Sequence, residues 1–221
     1  MIPLWDATRR LVDFPIMTLF IIAANVIAFI CELSGGDAFV LRWSVVPADI
    51  VAGHHWETII TSMFMHAGWA HIIGNMIFLW AFGPEIEDVM GPWRYLLFYL
   101  IGGAIAMIAQ ITAMPASTVP TLGASGAIAA VMGAFLVTYP RDKIRTVLFL
   151  GIFVTMTFIP AALLIGFWFV TQLFSVGVGA ITHSTDTGGV AYLAHVGGAI
   201  FGAIAVRWFE VPQRIADRAA A

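Results

Sequence analysis

Charge is scarce in this sequence. Only 10% of the 221 residues are charged and 61% are hydrophobic, whereas a soluble domain carries about 25% charged residues. With a mean hydropathy of +0.94, the chain reads as a polytopic membrane protein and not as a soluble enzyme with an apolar core. Cations are few as well: 10 Lys and Arg stand against 13 Asp and Glu, for a net charge of −3. No basic patch exists, so nucleic acid is excluded as a partner. The single cysteine, Cys31, cannot form an internal disulfide and says nothing about redox compartment. No HExxH motif, long linker, low-complexity tract, clear internal repeat or soluble domain stands out. The first apolar run, from Phe14 to Cys31, is too long for a signal-peptide core and no small-residue cleavage site follows it, so it is expected to be retained.

Long apolar runs are what the sequence does have. A bilayer core requires about 20 apolar residues per helix, and six runs qualify: 14–32, 59–82, 94–113, 125–139, 147–175 and 190–209. The expected fold is all-α, a six-helix membrane bundle over 14–209, with a short cytoplasmic segment at 1–13 and a short cytoplasmic tail at 210–221. The fourth run is short, so it is expected to begin below the membrane surface. The fifth is long, and its Pro160 should kink or split it. If both termini are cytoplasmic, Arg42 is the one cation among the ten to fall outside, and the flipped topology reverses that ratio. The outer segments are then 33–58, 114–124 and 176–189. Trp43, Trp56 and the pair His54–His55 suit an interfacial or solvated position in the first of them.

Polar groups inside apolar spans are costly and mark functional sites by default. The second span reads "FMHAGWAHIIGNMIFLW". Its His71 and Asn75 are four residues apart and share a face. His66 precedes His71 by five residues, which on one continuous helix is about 140° away, so it is expected to point elsewhere. His195 lies just inside the outer end of the sixth span, and Ser125 opens the fourth. Ser125, His71, Asn75 and His195 therefore converge at one depth from three helices. Gly198 and Gly202 follow His195 on its own face, and Ser125, Ala129 and Gly133 form a small-residue stripe on the fourth span. Two such stripes permit close helix approach, which would bring the hydroxyl and the imidazole within hydrogen-bond reach. A hydroxyl becomes an effective nucleophile when a base takes its proton. The N–H groups opening the Ser125 helix, with His71 and Asn75, are suitable donors for a developing oxyanion. No Asp or Glu lies at this depth, so the arrangement would be a Ser–His dyad.

Each residue also has a plain structural reading. Ser125 alone suits a helix cap, a lone intramembrane histidine suits an interhelical hydrogen bond, and glycine stripes establish packing. His66, His71 and His195 as three zinc ligands are a further alternative, although no carboxylate is near. A small-solute transporter is another, without paired half-repeats or a charged pathway residue. The four residues together are harder to explain as structure alone.

The blocks "GASG" at 123–126, "HAGWAHIIGN" at 66–75 and "AHVGGAIFG" at 194–202 resemble the three signature blocks of the rhomboid intramembrane serine proteases. Their order and span assignment match, and "GPEIEDVMG" at 83–91 resembles the family's turn after the second span. The resemblance implies Ser125 as nucleophile and His195 as general base and later acid. It implies His71, Asn75 and the Ser125 N–H as oxyanion donors. Gly123 and Gly126 would shape the turn, Gly198 and Gly202 would seat the sixth span on the fourth, and His66, Glu87 and Gly91 would be supports. Two departures are visible. Ala129 stands where many bacterial members carry a tyrosine stacked on the histidine, and Trp56-Glu57 stands where many carry Trp-Arg.

The implied activity is a serine endopeptidase cutting in or near transmembrane segments of single-pass or other membrane proteins within the lipid bilayer, without cofactor or metal. The implied location is a bacterial plasma membrane, with the site open to the extracytoplasmic side. Residues 176–189, with Gly177, Gly179, Gly188 and Gly189, would form a lid, and substrate would approach sideways near the fifth span. A catalytically inactive module that binds transmembrane helices is the competing expectation.

Overall fold

The computed structural model describes residues 1–151, 153–182 and 191–214. Strand β1 (Ile2–Asp6) is followed by helices α1 (Ile16–Trp43), α2 (Pro47–Val51), α3 (Thr58–Thr61), α4 (Trp69–Met90), α5 (Pro92–Ala113) and α6 (Ser125–Thr138). Strands β2 (Lys143–Leu150) and β3 (Phe153–Pro160) then precede α7 (Ala161–Thr182) and α8 (Tyr192–Phe209). Among the described residues, α1, α5 and α8 are long and apolar enough to cross a membrane.

Helix α6 is the centre of the bundle. Every residue from Gly126 to Phe135 is buried. It packs most extensively against α8, with α5 and α4 on other sides and α7 at the flank. The small residues of its sequence are why: without bulk to hold neighbours off, backbones approach closely. The peripheral helices turn large apolar side chains outward, among them Phe20 and Ile27 of α1, Leu97 and Ile108 of α5, Phe167 of α7 and Ile204 of α8. Apolar exposure on that scale suits hydrocarbon, not water.

The expectation of an all-α fold is corrected by a three-stranded antiparallel sheet in the order β1-β2-β3. Its source is the expected fifth span. Of that run, residues 147–150 and 153–160 are strand, not helix, and the apolar helix begins at Ala161. The sequences "KIRTVLFL" and "FVTMTFIP" are rich in β-branched and aromatic residues, which fit a pleated surface. Gly151, at φ 64°, makes the turn between them. A hairpin alone is marginal, and β1 supplies the third strand, pairing Ile2 with Val147 and Asp6 with Ile144. Pro160 does not kink a helix. It pairs with Lys143 as the last residue of β3, a position where its missing N–H is tolerated. β1 packs along α4 and β3 leads into α7, so the sheet bridges those two helices.

Three further boundaries move. Helix α1 runs on through the expected outer segment to Trp43, interrupted at Gly36 (φ 62°, ψ −159°). The block at 83–91 is not a turn. α4 continues through Pro84 to Met90, and only Gly91 (φ 75°) breaks it, with Pro92 opening α5. Residues 176–182, assigned to the lid, belong to α7 and include Gly177 and Gly179, while Gly188 and Gly189 lie outside the described residues.

The end of α4 fastens the bundle. The Glu87 carboxylate accepts the Met17 N–H (2.8 Å), the Thr18 N–H (2.7 Å) and the Thr18 hydroxyl (2.7 Å), satisfying the open first turn of α1. Asp88 accepts the N–H groups of Val12 (3.0 Å) and Asp13 (3.1 Å). At Gly91 an added Cβ would stand 3.2 Å from Nε of Arg214. Nearby, Arg9 pairs with Asp142 and lies over the Tyr139 ring. Burial pushes the neighbouring Asp6 carboxyl up to about 6, and the charge on Asp142 adds to the rise.

Candidate active site

Ser125 is the first residue of α6 and His195 lies one turn into α8. The Ser125 hydroxyl Oγ is 2.7 Å from His195 Nε2. Glycine makes this separation possible. A Cβ on Gly198 would overlap the carbonyl oxygen of Gly126, one on Gly202 that of Ala130, and one on Gly133 that of Ala199. The two helices interlock backbone to backbone. Gly126 contributes from inside α6, where its carbonyl receives Gly198, and not as part of the turn before the serine.

The second ring nitrogen of His195 is equally engaged. Nδ1 lies 2.7 Å from Gln172 Oε1. An amide oxygen only accepts, so Nδ1 carries the proton, which leaves the Nε2 lone pair to accept from the Ser125 hydroxyl. The Trp168 ring packs against the imidazole at 5.5 Å and 43°, and Tyr192 approaches edge-on at 6.4 Å. Trp168 and Gln172 are four residues apart on α7 and so share a face. Neither residue was singled out in the sequence. The available signal was Gln172 itself, an amide in the run "FWFVTQLF", where an unpartnered polar group would be costly. Ala129 is fully buried and an added Cβ at Gly198 would meet its methyl at 3.3 Å. The small side chain suits close packing of α6 on α8, and the aromatic against His195 comes from α7.

On the other side of Ser125 stand His71 and Asn75 of α4. The Ala67 N–H donates to His71 Nδ1 at 3.3 Å, so Nε2 bears the proton and is a donor. Gly123 has a left-handed φ of 133°, and an added Cβ there would sit 2.9 Å from the His71 ring and 3.5 Å from Ser125 Oγ. Glycine is required on both counts. Asn75 Nδ2 is buried without a hydrogen-bond partner among the described residues. His66 does not point away from His71 as one continuous helix requires. α4 starts only at Trp69, and the turn at 65–68 returns the His66 ring to 5.1 Å from that of His71. Its N–H donates to the buried Glu32 carboxylate of α1 at 2.8 Å. That contact ties the turn to the first helix.

These groups line one cavity of about 640 Å³ that reaches from Ala67 and Pro120 to Phe78, Ile128, Met132 and Trp168. Its polar groups cluster around Ser125, and its far end is apolar. Its walls come from α4, α6, α7 and α8. Outside the cavity lining, Glu57 and Arg42 form an ion pair of 2.9 Å, which holds the Glu57 carboxyl down at about 2. The glutamate of Trp56-Glu57 thus meets a cation on α1.

Residues 53–210 match the rhomboid domain. The chain is 32% identical over 126 residues to rhomboid protease GluP of Bacillus subtilis, covering 55% of this chain and 24% of that protein. It is 30% identical over 124 residues to the putative rhomboid protease YdcA of the same organism, covering 56% and 62%. It is 29% identical over 205 residues to the mitochondrial RHOMBOID-like protein 12 of Arabidopsis thaliana, covering 86% and 57%. The chain spans between 24% and 62% of the length of these relatives. With the greater part of its residues matched by that domain, the chain belongs to the rhomboid family.

Proposed function

We propose that this chain is an intramembrane serine endopeptidase. The observation that carries the reading is the 2.7 Å approach of Ser125 Oγ to a His195 ring whose other nitrogen is occupied. The pair faces the cavity walled by α4, α6, α7 and α8. In the proposed reaction, Ser125 Oγ attacks the scissile carbonyl carbon as its proton passes to His195 Nε2. The carbonyl oxygen becomes an oxyanion held by the Ser125 N–H, His71 Nε2–H and Asn75 Nδ2–H. His195 then returns the proton to the leaving nitrogen and the C–N bond breaks. A water molecule, deprotonated by the same Nε2, hydrolyses the acyl-enzyme. A helical substrate hides its carbonyls in backbone hydrogen bonds, so the segment to be cut must unwind before attack.

Six spans form the proposed topology: α1, α4, α5, α6, α7 and α8, as the membrane domain of residues 14–209. The hairpin leads into α7 from the end of the bundle that carries Arg141, Lys143 and Arg145, and β1 packs along α4. Both termini lie on that cation-rich side and Ser125 lies near the opposite face. In a bacterial plasma membrane that face is extracytoplasmic. Substrates are transmembrane segments that approach between α4 and α7, and the residues of the site perform the chemistry without a cofactor.

The test is covalent labelling. A fluorophosphonate probe is expected to modify purified protein at Ser125. Ser125→Ala and His195→Ala are expected to lose both labelling and cleavage of a single-span test substrate. A wild-type protein that neither labels nor cleaves, yet retains single-span helices, would instead be a binding module. Solute flux that survives Ser125→Ala would indicate a transporter.

A further inference from the structure

The hydrogen-bond chain does not end at His195. Gln172 Oε1 accepts its Nδ1–H, and the other side of the amide is fixed in turn. Gln172 Nε2 lies 3.3 Å from Thr171 Oγ1 and 3.4 Å from the Trp168 carbonyl. The Thr171 hydroxyl donates to that same carbonyl at 2.6 Å, which turns its lone pairs toward the amide nitrogen. Acceptors on one side define the amide orientation, so oxygen and not nitrogen faces the histidine. Gln172 is 8% exposed and His195 7% exposed, so bulk water does not compete with this bond.

We infer that Gln172 is the third member of the proteolytic arrangement, a neutral positioning residue that fixes the tautomer and ring plane of His195. The inference rests on the serine-protease reading above. The two nitrogens of a neutral imidazole cannot both carry the single proton. With Nδ1–H held by an amide oxygen, Nε2 is obliged to present its lone pair to Ser125. When Oγ attacks, Nε2 gains the serine proton, Nδ1–H stays on the ring, and the amide carbonyl dipole faces the new positive charge. Nε2–H then passes to the leaving nitrogen. Gln172 neither takes nor gives a proton at any step. An aspartate in this place would have to be buried as a charge in an apolar helix, whereas an amide supplies the acceptor without that cost. Trp168, one turn earlier on α7, holds the ring face. Support of His195 is thus moved from its neighbour helix α6, where Ala129 stands, to α7.

The titratable group facing the pair from α4 is His71, and Tyr192 faces it from α8 itself. At Gly197, α5 presents Ala109, Ala106 and the Ile105 carbonyl to the same stretch of α8. Among the described residues no carboxylate or Lys/Arg lines the cavity, so a charge placed at 172 should dominate the pH response of these groups.

The experiment compares wild-type protein, Gln172→Leu and Gln172→Glu in detergent, by kcat and KM against pH on a fluorogenic transmembrane peptide, with Tm alongside. Gln172→Leu is expected to lower kcat by roughly 10- to 100-fold with KM within about twofold. Gln172→Glu is expected to restore much of that rate and to move the acid limb of kcat/KM to higher pH by about one unit or more. A packing role would shift Tm and leave the acid limb in place. That result, or a Gln172→Leu variant with unchanged kcat, overturns the inference. If wild-type protein neither labels nor cleaves, the protease reading fails by itself. The pairing is then decided by nitrogen-15 shifts of His195 in Ser125→Ala protein. A single Nδ1-protonated tautomer that becomes mixed in Gln172→Leu upholds the pairing, and an unchanged tautomer population refutes it.

Discussion

The two ends of the bundle treat polar groups in opposite ways. At the end of α4, Glu87 accepts three hydrogen bonds and Asp88 two from backbone N–H. Among the described residues that line the cavity with Ser125 there is no acid, and the donor Asn75 Nδ2 is left open. A structural network closes its valences, because an unpaired buried polar group costs about 1–3 kcal/mol. A group that keeps such a vacancy next to a cavity is placed for something that arrives later. Glu87 and Asp88 are thus bound to the backbone around them, while Asn75 Nδ2 keeps an open valence beside the cavity.

The contrast can be broken most strongly at Glu87. Glu87→Ala strands two N–H groups and a hydroxyl at the start of α1, and is expected to lower stability by about 3 kcal/mol. For a chain of this size that is a fall in Tm of about 6–12 °C. Activity measured well below Tm should survive, which thermal melts paired with cleavage assays would establish. Asn75→Ala inverts the pattern. Its Nδ2 has no partner to lose among the described residues, so Tm should stay within about 2 °C while kcat falls by roughly 10²–10³. A large loss of stability there would refute the division. The smallest effect concerns Asp6. Its carboxyl is raised to about 6 in the folded protein, mainly by burial, against an ordinary 3.8. The folded state therefore binds the proton more tightly, and stability should rise as pH falls from about 7 through 6, levelling below about 4. Melts across that range should show a rise of a few degrees that is absent in Asp6→Asn.

What could be read from sequence follows the same division. Ser125, His71, Asn75 and His195 stand out because each is a polar interruption in apolar sequence, and the glycines of α8 declare which face is packed. Gln172 is equally an interruption, yet a search for a carboxylate partner of histidine passes over an amide. The sheet was hidden for a different reason. By composition, "VLFLGIFVTMTFIP" is as apolar as a span, and only its wealth of β-branched residues and the turn at Gly151 separate it from helix. Its third strand lies at the far end of the sequence, where no periodicity links residues 2–6 to 143–150. His66 was misdirected because one span was read as one helix, and the turn before Trp69 resets the angular count. Glu57, visible only as a departure at Trp56-Glu57, is explained by Arg42, fifteen residues earlier.

The pairing of β1 with β2 also has a consequence in time. Ile2–Asp6 leave the ribosome before their partners, which follow roughly 140 residues later, at ordinary rates of synthesis a wait of roughly 7–30 s. Throughout that interval an apolar strand has an open edge, while α1, α4, α5 and α6 are being made. Closure of the sheet is therefore a late event in biogenesis. It joins β1 to the hairpin that leads directly into α7, and so falls just before the helix carrying Trp168 and Gln172 takes its place.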